Sequence, residues 1–264
     1  MSEHLLFFMS CDSKYFQFIK PFMYFSSLDN KPCSYEFLLT SVMPEEEKES
    51  IEKLAKSIGA EVKLVDKSKD SLHSKVVRWL YSPASKGYSY AYIGDIDIII
   101  LENVTEFHRS RMDDGKLFDN VVRHTDKSKL SGLQFCTRDY FERTFAVRSK
   151  YKKICKGDMH CSNESILLKI CKESGLKLPQ ASKDEEEFNR IRPVHGIHMS
   201  LSRKPFKAGS AAELTFSQED AAKLFKIIES NEFKENILPQ FDEAWREKLG
   251  ILVAEIRSKS INNI

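Results

Sequence analysis

Residues 5–9, Leu-Leu-Phe-Phe-Met, form an unbroken apolar run that stops abruptly at Ser10-Cys11-Asp12. An amphipathic strand would alternate; this one is apolar on both faces and therefore needs cover on both, as in a mostly parallel sheet between helices. Its polar stop makes a natural ligand edge. The segments that follow repeat the theme. Residues 15–27 are aromatic and apolar at helical spacing, and residues 35–42 read as a second strand. Pro44, the acids 45–47, an apolar face of Ile51, Leu54 and Ile58, and a closing Gly59 mark out a helix. Residues 62–65 form a strand ending at Asp66, residues 71–81 a helix, and residues 90–101 a long apolar and aromatic strand. Strands alternating with helices predict an α/β fold with the ligand site at the strand C-termini.

The chain of 264 residues is long enough for one large domain, or one with an appendage. Lys and Arg number 41 against 39 Asp and Glu, a balance that argues against gripping nucleic acid through its phosphates. With 41% apolar residues, 18 Phe and 9 Tyr, disorder is excluded as the general state. No apolar run approaches the ~20 residues of a membrane span. The first nine residues lack the basic region of a signal peptide, so the protein is expected in the cytoplasm with its six cysteines as thiols. Cys155, His160, Cys161 and Cys171 invite a zinc reading, but no Cys-x-x-Cys spacing supports it.

The chemistry concentrates in Gly94-Asp95-Ile96-Asp97. In an extended chain, side chains two apart point the same way, so both carboxylates can reach one cation. Two hard oxygens suit Mg²⁺ or Mn²⁺, and such an ion neutralises the charge on a departing diphosphate. The bland alternative is a strand-end turn with solvated acids. An imidazole added to the pair would shift the preference towards Mn²⁺; His198 and His195 are rivals for that place.

The order of these pieces resembles a known group. A strand ending Ser10-Cys11-Asp12 with Tyr15 after it, a helix carrying Lys75 and Arg78, a strand running into Asp-x-Asp, and His198 six residues before Lys204-Pro205 are similar to the GT-A glycosyltransferases, above all the glycogenin and lipooligosaccharide galactosyltransferase group called family eight. That group's late motif is His-x-x-Gly-x-x-Lys-Pro-Trp; here Leu201 replaces the Gly and Phe206 the Trp. The resemblance spans about residues 5–206. It implies a Rossmann-like, mostly parallel mixed sheet flanked by helices. It also implies manganese (or magnesium) on Asp95, Asp97 and His198, Lys204 on the diphosphate, Ser10, Cys11, Asp12 and Tyr15 around the base and ribose, and Lys75, Arg78 and Asp95 on the donor.

Ser131-Gly132 resembles the small-residue segment near the acceptor in those enzymes, and a plain turn glycine is the other reading. Glu164 falls where the family has the Gln of Asp-Gln-Asp-x-Leu. A carboxylate there serves as a base for an acceptor hydroxyl, or as a nucleophile or charge stabiliser beside the anomeric carbon; otherwise it is an acid in the first turn of a helix. Lys204 and Glu164 are thus the expected catalytic residues.

The whole reads as a nucleotide-sugar-binding and catalytic domain over residues 1–210, with a C-terminal helical extension over 211–264. Within that extension Phe241, Trp245, Leu249, Leu252 and Ile256 form one stripe, suited to packing on the domain or on a second subunit of a homodimer. The expected activity is transfer of a sugar, from a UDP-sugar or a related donor, to a hydroxyl of a glycan or glycolipid in surface polysaccharide synthesis. Peripheral membrane contact remains compatible with this reading. The alternatives are a sugar nucleotidyltransferase, which would want a glycine-rich phosphate loop where Ser10-Cys11-Asp12-Ser13-Lys14 has no glycine, and a non-catalytic sugar-binding module.

Overall fold

The structure, a computed structural model, describes residues 3–112, 115–156, 163–191, 195–199 and 217–261. Lys204, Leu201, Phe206, His160, Cys161 and the 210/211 boundary lie outside the described residues. The first elements are β1 (Leu5–Cys11), α1 (Ile19–Ser27, after a 3₁₀ turn at Ser13–Phe18), β2 (Cys33–Leu39), α2 (Glu45–Ser57), β3 (Glu61–Asp66), α3 (Ser74–Leu80), β4 (Tyr90–Ile93) and β5 (Ile98–Ile100). They are followed by α4 (Val104–Arg109), β6 (Phe118–Asp119), β7 (Gln134–Thr137), α5 (Arg138–Ile154), α6 (Asn163–Glu173), α7 (Glu185–Ile191), β8 (Gly196–His198), α8 (Gln218–Ile228) and α9 (Glu243–Ile261).

Six strands make one mixed sheet in the order β3-β2-β1-β4-β7-β6. The pairs β1/β2, β2/β3 and β1/β4 are parallel, while β4/β7 and β6/β7 are antiparallel. The apolar run that opens the chain lies at its centre. Leu5, Phe7, Met9 and Cys11 face a core shared with α1, α2 and the C-terminal helices; Leu6 and Phe8 face a second core under α3, α5 and α6. Because the chain winds outward from β1 to β3 and then crosses to β4 on the other side, the C-terminal ends of β1 and β4 flank a topological switch point, the place where such sheets open a crevice.

The stretch 90–101 is not one strand. β4 ends at Ile93, and β5 leaves the sheet to pair antiparallel with β8, so that Ile98 faces His198 and Ile100 faces Gly196. Gly94 sits at the break, where no side chain fits: a Cβ would lie 2.8 Å from Leu133 and 2.9 Å from Tyr92. Its carbonyl accepts from Arg78 instead of a neighbouring strand. β2 likewise stops at Leu39, and the Thr40 amide makes the last ladder bond to β1, to the Cys11 carbonyl 2.9 Å away. β7 begins only at Gln134; Ser131 Oγ donates to Leu133 O, 2.8 Å away, and holds a turn before it. The acidic stretch 183–187 begins α7.

Phe241, Trp245, Leu249, Leu252 and Ile256 are all buried. Trp245 packs against Phe25 of α1 and against Phe241, and Lys20 of α1 reaches Asp242 at 3.3 Å. The stripe is therefore covered by the chain's own α1 side. Ser217 opens α8 with a complete capping box, its hydroxyl accepting from the Asp220 amide at 2.9 Å. Replacing it by Ala is expected to cost about 1 kcal/mol, read as a lower denaturant midpoint with an unchanged slope.

Candidate active site at the ends of the central strands

At the end of β1, half-buried Ser10 donates to the Ser74 carbonyl at 2.6 Å, and Asp12 accepts from Ser74 Oγ at 3.0 Å and from the Lys14 amide at 3.1 Å. These bonds tie the polar stop of the strand to the first turn of α3. Cys11 is buried among apolar side chains, and burial, with Asp12 beside it, pushes its thiol far above the usual range. It faces the core, so any contact it makes with a ligand is through backbone. Tyr15 is half-buried and leans on Phe18. Lys75 is exposed.

Arg78, one turn into α3, is 5% exposed. It reaches across to β4, donating to the Gly94 carbonyl and to Asp95 Oδ1, the latter at 2.8 Å. An arginine is suited to this double duty because its fork can serve two acceptors at once. Asp95 is thus turned to α3, and Asp97 turns elsewhere. Asp97 Oδ1 lies 3.6 Å from His198 Nε2, and its carbonyl accepts from the Met199 amide at 2.7 Å. Burial raises the Asp97 carboxyl above its ordinary range; His198 opposes the shift and Asp95 adds to it.

The spacing of Asp97 and His198 is longer than a hydrogen bond and within the span of two ligands each ~2.1 Å from one ion. An oxygen and an imidazole nitrogen in that relation fit a divalent cation of the Mn²⁺ type. Asp95 is not with them: among the described residues no three His, Cys, Asp or Glu side chains form a metal-holding group. Cys155 and Cys171 are both buried thiols. His195, the rival imidazole, is 1% exposed and points to Glu102 and His108, so it does not face Asp97.

Glu164, at the start of α6, approaches Arg78 across Gly132. A Cβ on Gly132 would lie 3.5 Å from Glu164 Oε1 and 3.9 Å from Arg78 Nη2, so the missing side chain leaves the gap between carboxylate and guanidinium open. Ser131 is fully buried, its hydroxyl engaged with Asn120 and Leu133, and it shapes the turn that presents Gly132. Arg123 donates to Glu164 Oε1 at 2.6 Å and lies over Phe188. Arg123 and Ser74 are the members that reading the sequence missed. Neither sits in a motif, and each is brought in by a fold contact, 41 residues from Glu164 and 62 from Asp12 respectively. Arg78 thus links Asp95 with the Gly132 turn and Glu164, while Asp97 and His198 meet on the segments that follow Asp95 and His195.

No protein-family model and no curated protein matches the sequence. Among solved structures the chain is similar to the glycosyltransferase GlyE of Streptococcus pneumoniae, at 14% identity over 72% of this chain and 47% of that one, with a TM-score of 0.49. It is also similar to the galactosyltransferase LgtC in complex with donor and acceptor sugar analogs, at 11% identity over 73% and 83% of the two chains and a TM-score of 0.44. A third likeness is to the bifunctional glycosyltransferase WbbM, at 10% identity over 91% and 52% and a TM-score of 0.44. The chain spans less than half of GlyE's length. At such identities and TM-scores, what this chain does has to come from the geometry of its own site.

Proposed function

We propose that the chain is a metal-dependent glycosyltransferase that moves a sugar from a nucleotide diphosphate donor, of the UDP-sugar kind, to a hydroxyl of a glycan or glycolipid. The observation that carries this reading is the meeting of Asp97 and His198, more than a hundred residues apart in sequence, beside the Arg78–Asp95 pair at the switch point. A Mn²⁺ or Mg²⁺ ion held by Asp97 and His198, with Asp95 next to them, would supply positive charge to the departing diphosphate. Arg78 holds Asp95 and fixes the Gly94 turn, while Asp97 faces His198. The Ser10 to Tyr15 segment is the surface offered to the nucleoside.

Glu164 faces the reacting sugar in this reading. Arg123 pairs with it beside the gap that Gly132 leaves towards Arg78, and there it offsets positive charge developing at the anomeric carbon. Lys204 is assigned the diphosphate on its spacing from His198 alone. Among the described residues no helix is long and apolar enough to cross a membrane; the acceptor would be met at the open side of the crevice.

The test is a thermal-shift panel of nucleotide sugars with and without Mn²⁺. A donor at 100 times its dissociation constant is expected to add ~2.7 kcal/mol of stability, removed by chelator. Failure of every nucleoside diphosphate sugar to shift the transition would end this reading.

A further inference from the structure

Behind the site runs a chain of four titratable side chains. Glu102 Oε2 lies 3.0 Å from His195 Nδ1, His195 Nε2 lies 2.9 Å from His108 Nε2, and His108 Nδ1 lies 2.8 Å from Asp119 Oδ2. Arg111 Nε closes the far end on the same Asp119 oxygen at 2.9 Å. The protons can be counted. Each carboxylate contact needs a hydrogen on the imidazole nitrogen that faces it, and the ring-to-ring contact needs one hydrogen between two nitrogens. Three contacts thus require three hydrogens on two rings. Two neutral imidazoles carry only two, so the closed chain holds one proton more.

We propose that His108 and His195 share one extra proton between two carboxylates, and that this closed chain makes His195 a positioning residue for the strand bearing His198. The ring pair is sealed: His195 is 1% and His108 5% exposed, with Tyr92, Phe107 and Phe135 packed about them. Only the Glu102 end, with a side chain 45% exposed, meets water. The backbone shows what the chain of bonds restrains. His195 sits in the left-handed region at φ 60°, a conformation that persists in a non-glycine residue only where its surroundings hold it. Its carbonyl accepts from the Leu101 amide at 2.7 Å, and β8 begins at the next residue. Three residues on, His198 faces Asp97.

The other charged groups nearby are consistent with one positive charge on the pair. Arg111 faces Asp119 from beyond α4, and Lys223 of α8 binds the Leu101 carbonyl and Asp29 beside Glu102. Burial pulls His108 down to about 4, in keeping with its Nε2 as the acceptor of the ring pair. The His195 hydrogen bond in turn lowers the Glu102 carboxyl. Loss of the extra proton sets a lone pair against a lone pair somewhere in the chain, and gain of another sets hydrogen against hydrogen between the rings. Either opens the contact and frees the approach to β8.

The proton count stands without the glycosyltransferase reading; only the meaning of positioning His198 rests on it. The test accordingly uses no donor, acceptor or metal. In ¹⁵N-histidine spectra of the full chain at neutral pH, three of the four ring nitrogens of His108 and His195 should carry hydrogen, with His108 Nε2 bare. Two or four protonated nitrogens would overturn the shared proton. Glu102→Gln keeps an acceptor at the exposed end but removes its charge, and should weaken binding of the extra proton about tenfold. Amide exchange of Met199, which reports the Asp97 contact, should then speed up at least tenfold at pH 8 while β1 amides stay protected, and Glu102→Asp should restore part of the protection. Unchanged Met199 exchange in Glu102→Gln would leave the chain of bonds without a positioning role.

Discussion

Asp97→Asn is expected to abolish Mn²⁺-dependent donor binding and to lower transfer roughly 10²–10³-fold, the range seen when a site loses one group aimed at developing charge, while leaving the protein as stable as before or more so. The two effects have one cause. Asp97 is 9% exposed between Ile96 and Ile98, and burial already disfavours its ionised form. Asn has the same shape, removes the cost of a buried charge, and leaves intact the backbone bond from the Met199 amide to the residue 97 carbonyl. A carboxylate kept in a place that penalises it is there for a partner. Calorimetric titration with Mn²⁺ and a UDP-sugar, alongside denaturant unfolding, separates binding from stability. An Asn variant that bound donor and metal like the parent would remove Asp97 from the site.

Gly196→Ala should do the reverse, damaging the fold and the site together. Gly196 has φ 146°, a region that a side chain strongly disfavours, and a Cβ there would stand 2.0 Å from the Ile99 carbonyl oxygen. No flexible side chain can yield, because the clash is with backbone of the paired strand. Strain of this kind costs about 1–3 kcal/mol, and displacing β8 from β5 adds a similar amount, so a loss of about 3 kcal/mol is expected. As β8 carries His198, metal affinity should fall in the variant even at temperatures where it remains folded. Unfolding midpoints and Mn²⁺ titration at low temperature measure the two parts. A variant with parental stability would show that β5 and β8 are not held as tightly as their register indicates.

Much of this architecture is legible in local pattern because local pattern caused it. The unbroken apolar run at residues 5–9 can be buried only between two layers, and β1 lies at the centre of the sheet with a core on each side. The acids at 45–47, Ser217 with Asp220, and the stripe from Phe241 to Ile256 act within one or a few turns, and each forms the element it announces. Asp97 and His198 are singled out on other grounds, the one as half of an Asp-x-Asp pair at a strand end and the other by its spacing to Lys204 in the motif the chain resembles.

What could not be read is set by contacts between distant segments. Residues 90–101 look like one strand because all are apolar or aromatic around Asp-x-Asp; only Leu133, Tyr92 and Arg78 closing on Gly94 break it and send β5 to a second sheet. That break parts the two aspartates, turning Asp95 to Arg78 and Asp97 to His198. His195 and His198 are equivalent by type and differ by three positions. The left-handed turn before β8 buries one against His108, 87 residues away, and leaves the other at Asp97. Arg123 reaches Glu164 across 41 residues with no motif of its own. Composition and periodicity determine which segments are buried and which strand ends are polar, since both follow from neighbours along the chain. Which carboxylate meets which cation is decided only when the sheet brings its strand ends together, since a pairing depends on distances through space that no spacing along the chain contains.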